Sequence, residues 1–153
     1  MARKDRALRS AARLAAVQAL FQMEAAGADW REVRDEFEAH RIGAEGEGGL
    51  PEADLELFRL ILEGAVSRQA QIDQAADAAM KEGWPMKRLD PTLRALFRAA
   101  GAELFDGDVT PPKVVISEFV DVAKAFFADG KEPGLVNAVL DKMARAARPG
   151  AFA

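Results

Sequence analysis

The sequence contains no cysteine and a single histidine, His40. Without cysteine there is no disulfide and no thiolate ligand for a metal, and such a composition fits a cytoplasmic protein. One histidine alone does not make a metal site, so we expect an exposed or locally bonded imidazole. With no cysteine and only one histidine, nucleophilic triads are also poorly served. The sequence therefore predicts neither a metal nor a cofactor.

Long apolar runs are absent as well. No run approaches the ~18 residues that a membrane span needs. The positively charged beginning is not followed by an apolar segment with a cleavage site, so we expect no signal peptide. Half of the residues are hydrophobic, and they do not alternate with a period of two for long. Together with the length of 153 residues, this predicts one all-α domain over residues 1–153.

No segment has the pattern of a catalytic site. The carboxylates lie beside basic residues on predicted helix surfaces, as Asp121 does near Lys124. A general acid–base pair needs a cleft and a shifted pKa, and nothing in the pattern indicates either. The glycine-rich stretch 43–49 lacks the lysine of a phosphate-binding loop, and its two glutamates would repel phosphate. We expect a flexible linker loop there and a non-catalytic protein.

Apolar residues recur with a helical period along most of the chain. The pattern predicts a long helix from Pro51 to about Met80, shared by two small helical bundles. The stretch 83–85 (Gly-Trp-Pro) should break it, and Asp90 should cap a following helix that begins at Pro91. Gly64 should cost ~1 kcal/mol within the long helix unless another helix packs closely against it.

A helical hairpin is predicted from Thr110 to Met143. Thr110 is expected to cap the first helix, ahead of two prolines. A stop at 129–130 and an opening at 133–134 should separate the two helices. The apolar stripe of the first helix comprises Val115, Phe119, Val122 and Phe126, and that of the second comprises Val136, Val139, Leu140 and Met143.

Basic residues cluster at the beginning of a chain whose net charge is −4. They are Arg3, Lys4, Arg6, Arg9 and Arg13, opposed only by Asp5. On a helical wheel Arg6, Arg9 and Arg13 fall within roughly 60° of one another. Because Leu8, Ala12 and Ala15 lie on the opposite side, the pattern predicts an exposed cationic ridge. A short basic stretch is otherwise usually a solvated terminus, and RNA binding has to be weighed against that alternative.

Three motifs resemble the NusB family of bacterial antitermination factors. They are A-R-L-A-A-V-Q-A-L-F at 12–21, R-A-L-F-R at 94–98 followed by Glu103-Leu104, and P-K-V-V-I-S-E with L-V-N-A-V-L-D-K at 112–118 and 135–142. The family shares its all-helical domain with certain rRNA cytosine methyltransferases. Those enzymes carry a second catalytic domain with a cysteine nucleophile, and we do not expect this sequence to be one of them.

The resemblance implies a non-catalytic adaptor that holds boxA-type single-stranded RNA together with the ribosomal protein NusE. Such complexes join NusA, NusG and RNA polymerase to suppress Rho-dependent termination, chiefly in rRNA operons. The residues implied to contact RNA are Arg3, Lys4, Arg6, Arg9, Arg13, Gln18 and Phe21. Arg98, Glu103 and Asn137 are implied as partner-binding or structural residues, although the Asn137 amide could also bond to nearby backbone.

Two departures from the family pattern qualify this reading. Ser10 and Ala11 stand where many members continue the arginine run, which predicts a weaker RNA affinity or a greater dependence on a partner. The turn at 129–134 is rearranged. An alternative function is a helical protein-interaction module, or a homodimer, without RNA binding of its own.

Overall fold

The computed structural model describes residues 2–80, 85–107 and 110–152. These ranges contain seven α-helices, which are α1 (Ala2–Ala26), α2 (Trp30–Glu36), α3 (Leu55–Ser67), α4 (Gln69–Ala79), α5 (Pro91–Asp106), α6 (Pro112–Phe126) and α7 (Glu132–Ala147). A π-helical turn, Phe37–Arg41, extends α2, and 3₁₀ turns follow at Met86–Arg88 and Pro149–Phe152. No strand forms within the described ranges. The predicted all-α class is confirmed.

Helix α5 is the centre of the packing. Its start is the predicted one, since the Asp90 carboxylate accepts a hydrogen bond from the Thr92 amide at 2.8 Å and Pro91 is the first helical residue. Most residues from Leu93 to Leu104 are buried, and the helix packs against α1, α3, α4, α6 and α7. A helix that is apolar nearly all round is buried on all sides, and this sequence follows that rule.

Small residues let neighbouring helices approach α5 closely. Gly64 of α3 is buried, and a Cβ added to it would lie 3.2 Å from the Cβ of Ala102. Gly101 of α5 faces α4 in the same way, because its Cβ would lie 2.5 Å from Cγ2 of Ile72. The close helix packing that would justify Gly64 is therefore present.

The helix predicted from Pro51 to Met80 is two helices. The chain leaves helical geometry at Arg68, where φ is −113° and ψ is 19°, and α3 begins only at Leu55, capped by Asp54. Helix α3 packs with α1, α2 and α5, whereas α4 packs with α5 and α7. The helix shared between the two groups is thus α5. A change of backbone angle at one residue leaves the spacing of apolar residues almost unchanged, so periodicity alone does not show it.

The stretch predicted as a flexible linker has a defined shape. Ile42 and Leu50 form an isolated bridge, and the Gly43 amide donates to the Leu50 carbonyl at 2.8 Å. Gly43, Gly46 and Gly48 adopt positive φ values of 76°, 87° and 83°, which glycine reaches without steric cost. The segment 43–49 is therefore a loop whose two ends are joined. In the predicted break at 83–85, Gly83 and Trp84 lie outside the described residues.

Two details of the predicted hairpin are wrong. Thr110 does not cap α6, which begins at Pro112 after Pro111, and its buried hydroxyl is used elsewhere. Val115, Phe119 and Val122 are buried as predicted, but Phe126 is 38% exposed. Phe126 is the last residue of α6, so its ring extends beyond the helices that cover the rest of the stripe. The predicted apolar residues of α7 are all buried.

Candidate nucleic-acid interface

A groove of about 750 Å³ separates the first half of α1 from the start of α6. We call it the basic groove. Its walls carry Arg3, Arg6 and Arg9 from α1 and Lys113 from α6. Arg3, Lys4, Arg6 and Lys113 are exposed. Two helices thus present cations to one depression on a protein whose net charge is negative.

Arg13 does not belong to the exposed part of this surface, and its predicted exposure is wrong. The side chain is 2% exposed. Its Nε and Nη2 donate to the two carboxylate oxygens of Glu103 at 2.8 Å each, and its Nη1 donates to Glu118 at 2.7 Å. Burial by itself would lower the pKa of Arg13, but the hydrogen bonds and charges of Glu103 and Glu118 outweigh it and raise that pKa.

Arg9 and Ser10 also bind α6 and the residues before it. Arg9 is half-buried, and its Nη2 donates to the Thr110 hydroxyl at 2.7 Å. Ser10 donates to Glu118 at 2.6 Å. Ser10, which interrupts the arginine run, therefore helps to hold α1 against α6. The Glu118 carboxylate at the base of the groove is partly neutralised by Arg13.

The residues that bind α1 are themselves held from the other side by Arg148. Its guanidinium donates to the backbone carbonyls of Glu103, Leu104 and Thr110. Two of these carbonyls belong to the last turn of α5, where carbonyl groups begin to run out of helical partners; that of Glu103 also accepts the amide of Gly107 at 3.0 Å. A cation at this end also interacts favourably with the helix dipole. Arg148 thus fixes the residues to which Arg9 and Arg13 bind.

A second groove, which we call the aromatic groove, follows the second half of α1. It has a volume of about 440 Å³ and is lined by Val17, Gln18, Phe21, Gln22, Ala25, Ala26, Phe37, Arg41, Thr92 and Phe126. Phe21 is 40% exposed, similar to Phe126. The Arg41 guanidinium lies 4.6 Å from the centre of the Phe37 ring, and its Nη2 donates to Gln18 Oε1 at 3.4 Å.

Gln18 and Phe21 were predicted from the sequence as contact residues, whereas Lys113, Arg41 and Phe126 were not. Lys113 stands in the recognised motif P-K-V-V-I-S-E, and its position after two prolines at a helix start was a usable signal. Arg41 and Phe126 gave no such signal, because they meet α1 only through the folded chain. The structure thus brings Gln18 and Phe21 together in one groove, separate from the one that Arg3 and Arg6 line.

The remaining predicted residues are distributed as follows. Arg98 donates to both carboxylate oxygens of Asp73 at 3.0 Å and to Glu24 at 2.9 Å, and Glu103 binds Arg13. Each of the two therefore has an intramolecular partner. Asn137 is exposed on α7. His40 is exposed on the π-helical turn.

The cluster around Glu24 leads to a prediction about pH. The hydrogen bond from Arg94, aided by the charges of Arg94 and Arg98, lowers the pKa of Glu24 below its ordinary value of 4.5, against the opposing effect of burial. A lowered folded-state pKa stabilises the fold above the ordinary pKa, and this stabilisation is lost as the pH falls through the folded-state value. We expect Glu24→Gln to lower the urea midpoint at neutral pH, with a difference that shrinks at pH values below 4.5. An equal difference at all pH values would contradict the prediction.

The described residues contain neither a metal site nor a membrane span. Within residues 2–80, 85–107 and 110–152, no group of three or more His, Cys, Asp or Glu side chains could hold a metal ion. Across the same ranges, none of the helices has the length and apolarity that crossing a membrane requires.

The arrangement of helices is that of a known class of all-α proteins. The structure of T. maritima NusB superimposes with a TM-score of 0.75, at 27% sequence identity, over 94% of this chain and 96% of that one. A chain in the crystal structure of the antitermination factors NusB and NusE in complex with dsRNA has the same fold, with a TM-score of 0.67. It is 23% identical, over 90% of this chain and 96% of that one.

Sequence comparison identifies the family within this class. The model of the NusB family matches residues 10–145. A transcription antitermination protein NusB from Nitrobacter hamburgensis is 51% identical over 147 residues, which are 95% of this chain and 91% of the relative. The chain belongs to the NusB family of transcription antitermination proteins, which are not enzymes.

Proposed function

We propose that this protein binds boxA-type single-stranded RNA together with NusE and thereby suppresses Rho-dependent termination, chiefly in rRNA operons. The observation that carries the proposal is the basic groove, in which α1 and α6 both present exposed cations on a protein of net charge −4. Phosphate contacts dominate the affinity of proteins for nucleic acids. A local cationic groove on an acidic protein therefore marks where RNA would bind.

The RNA contacts we propose differ in role along α1. Arg3, Lys4 and Arg6 are exposed and free to follow the phosphates, and Lys113 joins them from the opposite wall. Arg9 lines the groove while bonded to Thr110. Arg13 instead holds α1 against α5 and α6, so we propose that it positions the groove without contacting phosphate.

A partner protein supplies the rest of the binding surface in this proposal. Few exposed cations face the groove, so RNA binding by this chain alone should be weak, and a second protein bound beside it raises the affinity. Support comes from the fold shared with a NusB that was crystallised with NusE and dsRNA. NusA, NusG and RNA polymerase would complete the assembly on nascent RNA in the cytoplasm. A homodimer that binds no RNA remains the alternative.

The salt dependence of RNA binding tests the proposal. Each phosphate contact to single-stranded RNA releases about one counterion. Removing one contact should therefore lower the magnitude of the slope of log K against log salt by ~0.7. We expect Arg3→Gln, Arg6→Gln and Lys113→Gln each to lower the slope for a boxA-type oligonucleotide, measured with NusE present, and to weaken binding to all sequences similarly. All three side chains are exposed, so stability should change by no more than ~0.5 kcal/mol.

Lys142→Gln serves as the control, because it removes an equal charge from an exposed position on α7 that lies outside both grooves. The control should leave the slope at the wild-type value. If the groove variants behave like the control, the cations are only solvated charges. If wild-type protein binds no RNA but forms a dimer, the alternative function is supported.

A further inference from the structure

We infer that Arg148, which lines neither groove, sets how tightly the basic groove binds RNA. The inference rests on the proposed function and adds to it a positioning residue that touches no RNA. Arg148 caps the end of α7, and its half-buried side chain reaches the end of α5. A residue outside a site acts on it only through intervening contacts, and Arg148 has contacts of this kind.

Two residues are held from both sides, by Arg148 on the backbone and by an arginine of α1 on the side chain. The Thr110 carbonyl accepts from Arg148 Nη1, and the Thr110 hydroxyl accepts from Arg9 Nη2 at 2.7 Å. The Glu103 carbonyl accepts from Arg148 Nη2 at 2.9 Å, while the Glu103 carboxylate accepts from Arg13. Both held residues are almost completely buried. One guanidinium is therefore a common anchor for two attachments of α1.

The geometry of this anchor requires an arginine. Three different nitrogens of Arg148 donate to three different carbonyls, the third bond running from Nε to Leu104 at 2.9 Å. The guanidinium holds its donors in a rigid planar fork, whereas lysine offers a single nitrogen on a flexible stem. A lysine at this position would keep the charge and lose the simultaneous hold on α5 and on the residues before α6.

The anchor also governs Lys113 on the opposite wall of the basic groove. Pro111 and Pro112 directly follow Thr110, and α6 begins at Pro112. Because proline rings fix φ near −65°, the connection from Thr110 to Lys113 bends little. A shift of the Thr110 carbonyl is therefore passed on to Lys113. Cations on both walls of the groove depend in this way on Arg148.

The backbone of Arg148 is fixed on both sides. Helix α7 precedes it, and the 3₁₀ turn Pro149–Phe152 follows, in which the Ala151 amide donates to the Arg148 carbonyl at 3.0 Å. Phe152 packs against the hydrophobic core. Cations that are held in place before RNA arrives lose less conformational entropy on binding. Arg148 raises the RNA affinity by this route without a contact of its own.

RNA binding by Arg148→Met tests the inference, because methionine keeps an apolar stem and removes all three donors. We expect the affinity for a boxA-type oligonucleotide, with NusE present, to fall about five- to tenfold. Binding of NusE without RNA should stay at the wild-type value. Arg148→Lys should show a smaller loss in the same assay, and it carries the test if Arg148→Met does not fold.

Arg145→Met is the matched control. It removes the same type of side chain and the same charge from an exposed position three residues earlier on α7. Arg145 contacts Asp141 and Phe152 and lines neither groove. The control should bind RNA as wild type does. If Arg148→Met and Arg145→Met bind RNA alike while Arg6→Gln still lowers the salt slope, the inference is overturned and the proposed function stands.

A second background separates positioning from a general effect on the fold. In a protein that carries Arg9→Gln and Lys113→Gln, the cations placed by Arg148 are already gone. Arg148→Met should then lower RNA affinity by no more than about twofold further. An equal loss in both backgrounds would overturn the inference. Absence of RNA binding by the wild-type protein with NusE present would instead overturn the proposed function, and the inference with it.

Discussion

Glu103→Ala should lower the free energy of unfolding by about 3–5 kcal/mol, because it leaves the buried charge of Arg13 without its main partner. Glu103 is 1% exposed and binds Arg13 through both carboxylate oxygens. Breaking a buried ion pair by removing one member costs far more than the pair contributes, since the remaining ion has left water without compensation. Glu118 accepts a hydrogen bond from only one nitrogen of Arg13, and its side chain is partly exposed to water. It therefore does not replace Glu103 as the partner of the buried charge.

Urea unfolding followed by circular dichroism measures this loss. Glu118→Ala is the comparison variant, and a smaller loss is expected there because water reaches that carboxylate. Replacing both members, as Arg13→Met with Glu103→Leu, should recover much of the stability, since a buried pair can often be exchanged for apolar residues of similar volume. A Glu103→Ala protein within ~0.5 kcal/mol of wild type would show that Arg13 is not buried as described.

Phe119→Ala should be the second severe change, again at about 3–5 kcal/mol. The ring is completely buried on α6 among the core residues, and truncation removes its apolar contacts and leaves a cavity. Phe126→Ala removes the same atoms from the same helix at a half-exposed position. Its cost should be much smaller, because less area returns to water and no closed cavity forms.

Thermal and urea unfolding of the two variants compare their losses of stability. Since small domains are stable by only about 5–15 kcal/mol, Phe119→Ala should show a clearly lower melting temperature or fail to fold. Equal melting temperatures for the two variants would mean that α6 is rotated relative to the orientation described.

Features set by local sequence were predictable. The start of α5 follows from Asp90 and Pro91, whose cap and fixed φ act within one turn. The buried face of α7 follows from spacings of three and four residues. These signals involve neighbours in the sequence, so they survive without knowledge of the fold.

Features set by distant partners were not predictable. Arg13 lies near Arg6 and Arg9 on a helical wheel, but its partners Glu103 and Glu118 are 90 and 105 residues away in the sequence. A wheel shows which residues share a side and not which neighbouring helix covers that side. The same limit applies to Phe126, which has the spacing of a core residue but is not covered by a neighbouring helix. It also applies to Arg41, which meets Gln18 of α1 only in the fold.

The contacts of Arg148, Arg9 and Arg13 can form only late while the ribosome synthesises the chain. Helix α1 emerges first, but its polar partners Glu103, Thr110 and Glu118 are translated about one hundred residues later, and Arg148 follows them. Contacts over such sequence separations form late, because loop-closure entropy opposes them. The basic helix therefore leaves the ribosome with its arginines unanchored, and it acquires its final setting only when α5, α6 and the residues after α7 have been made.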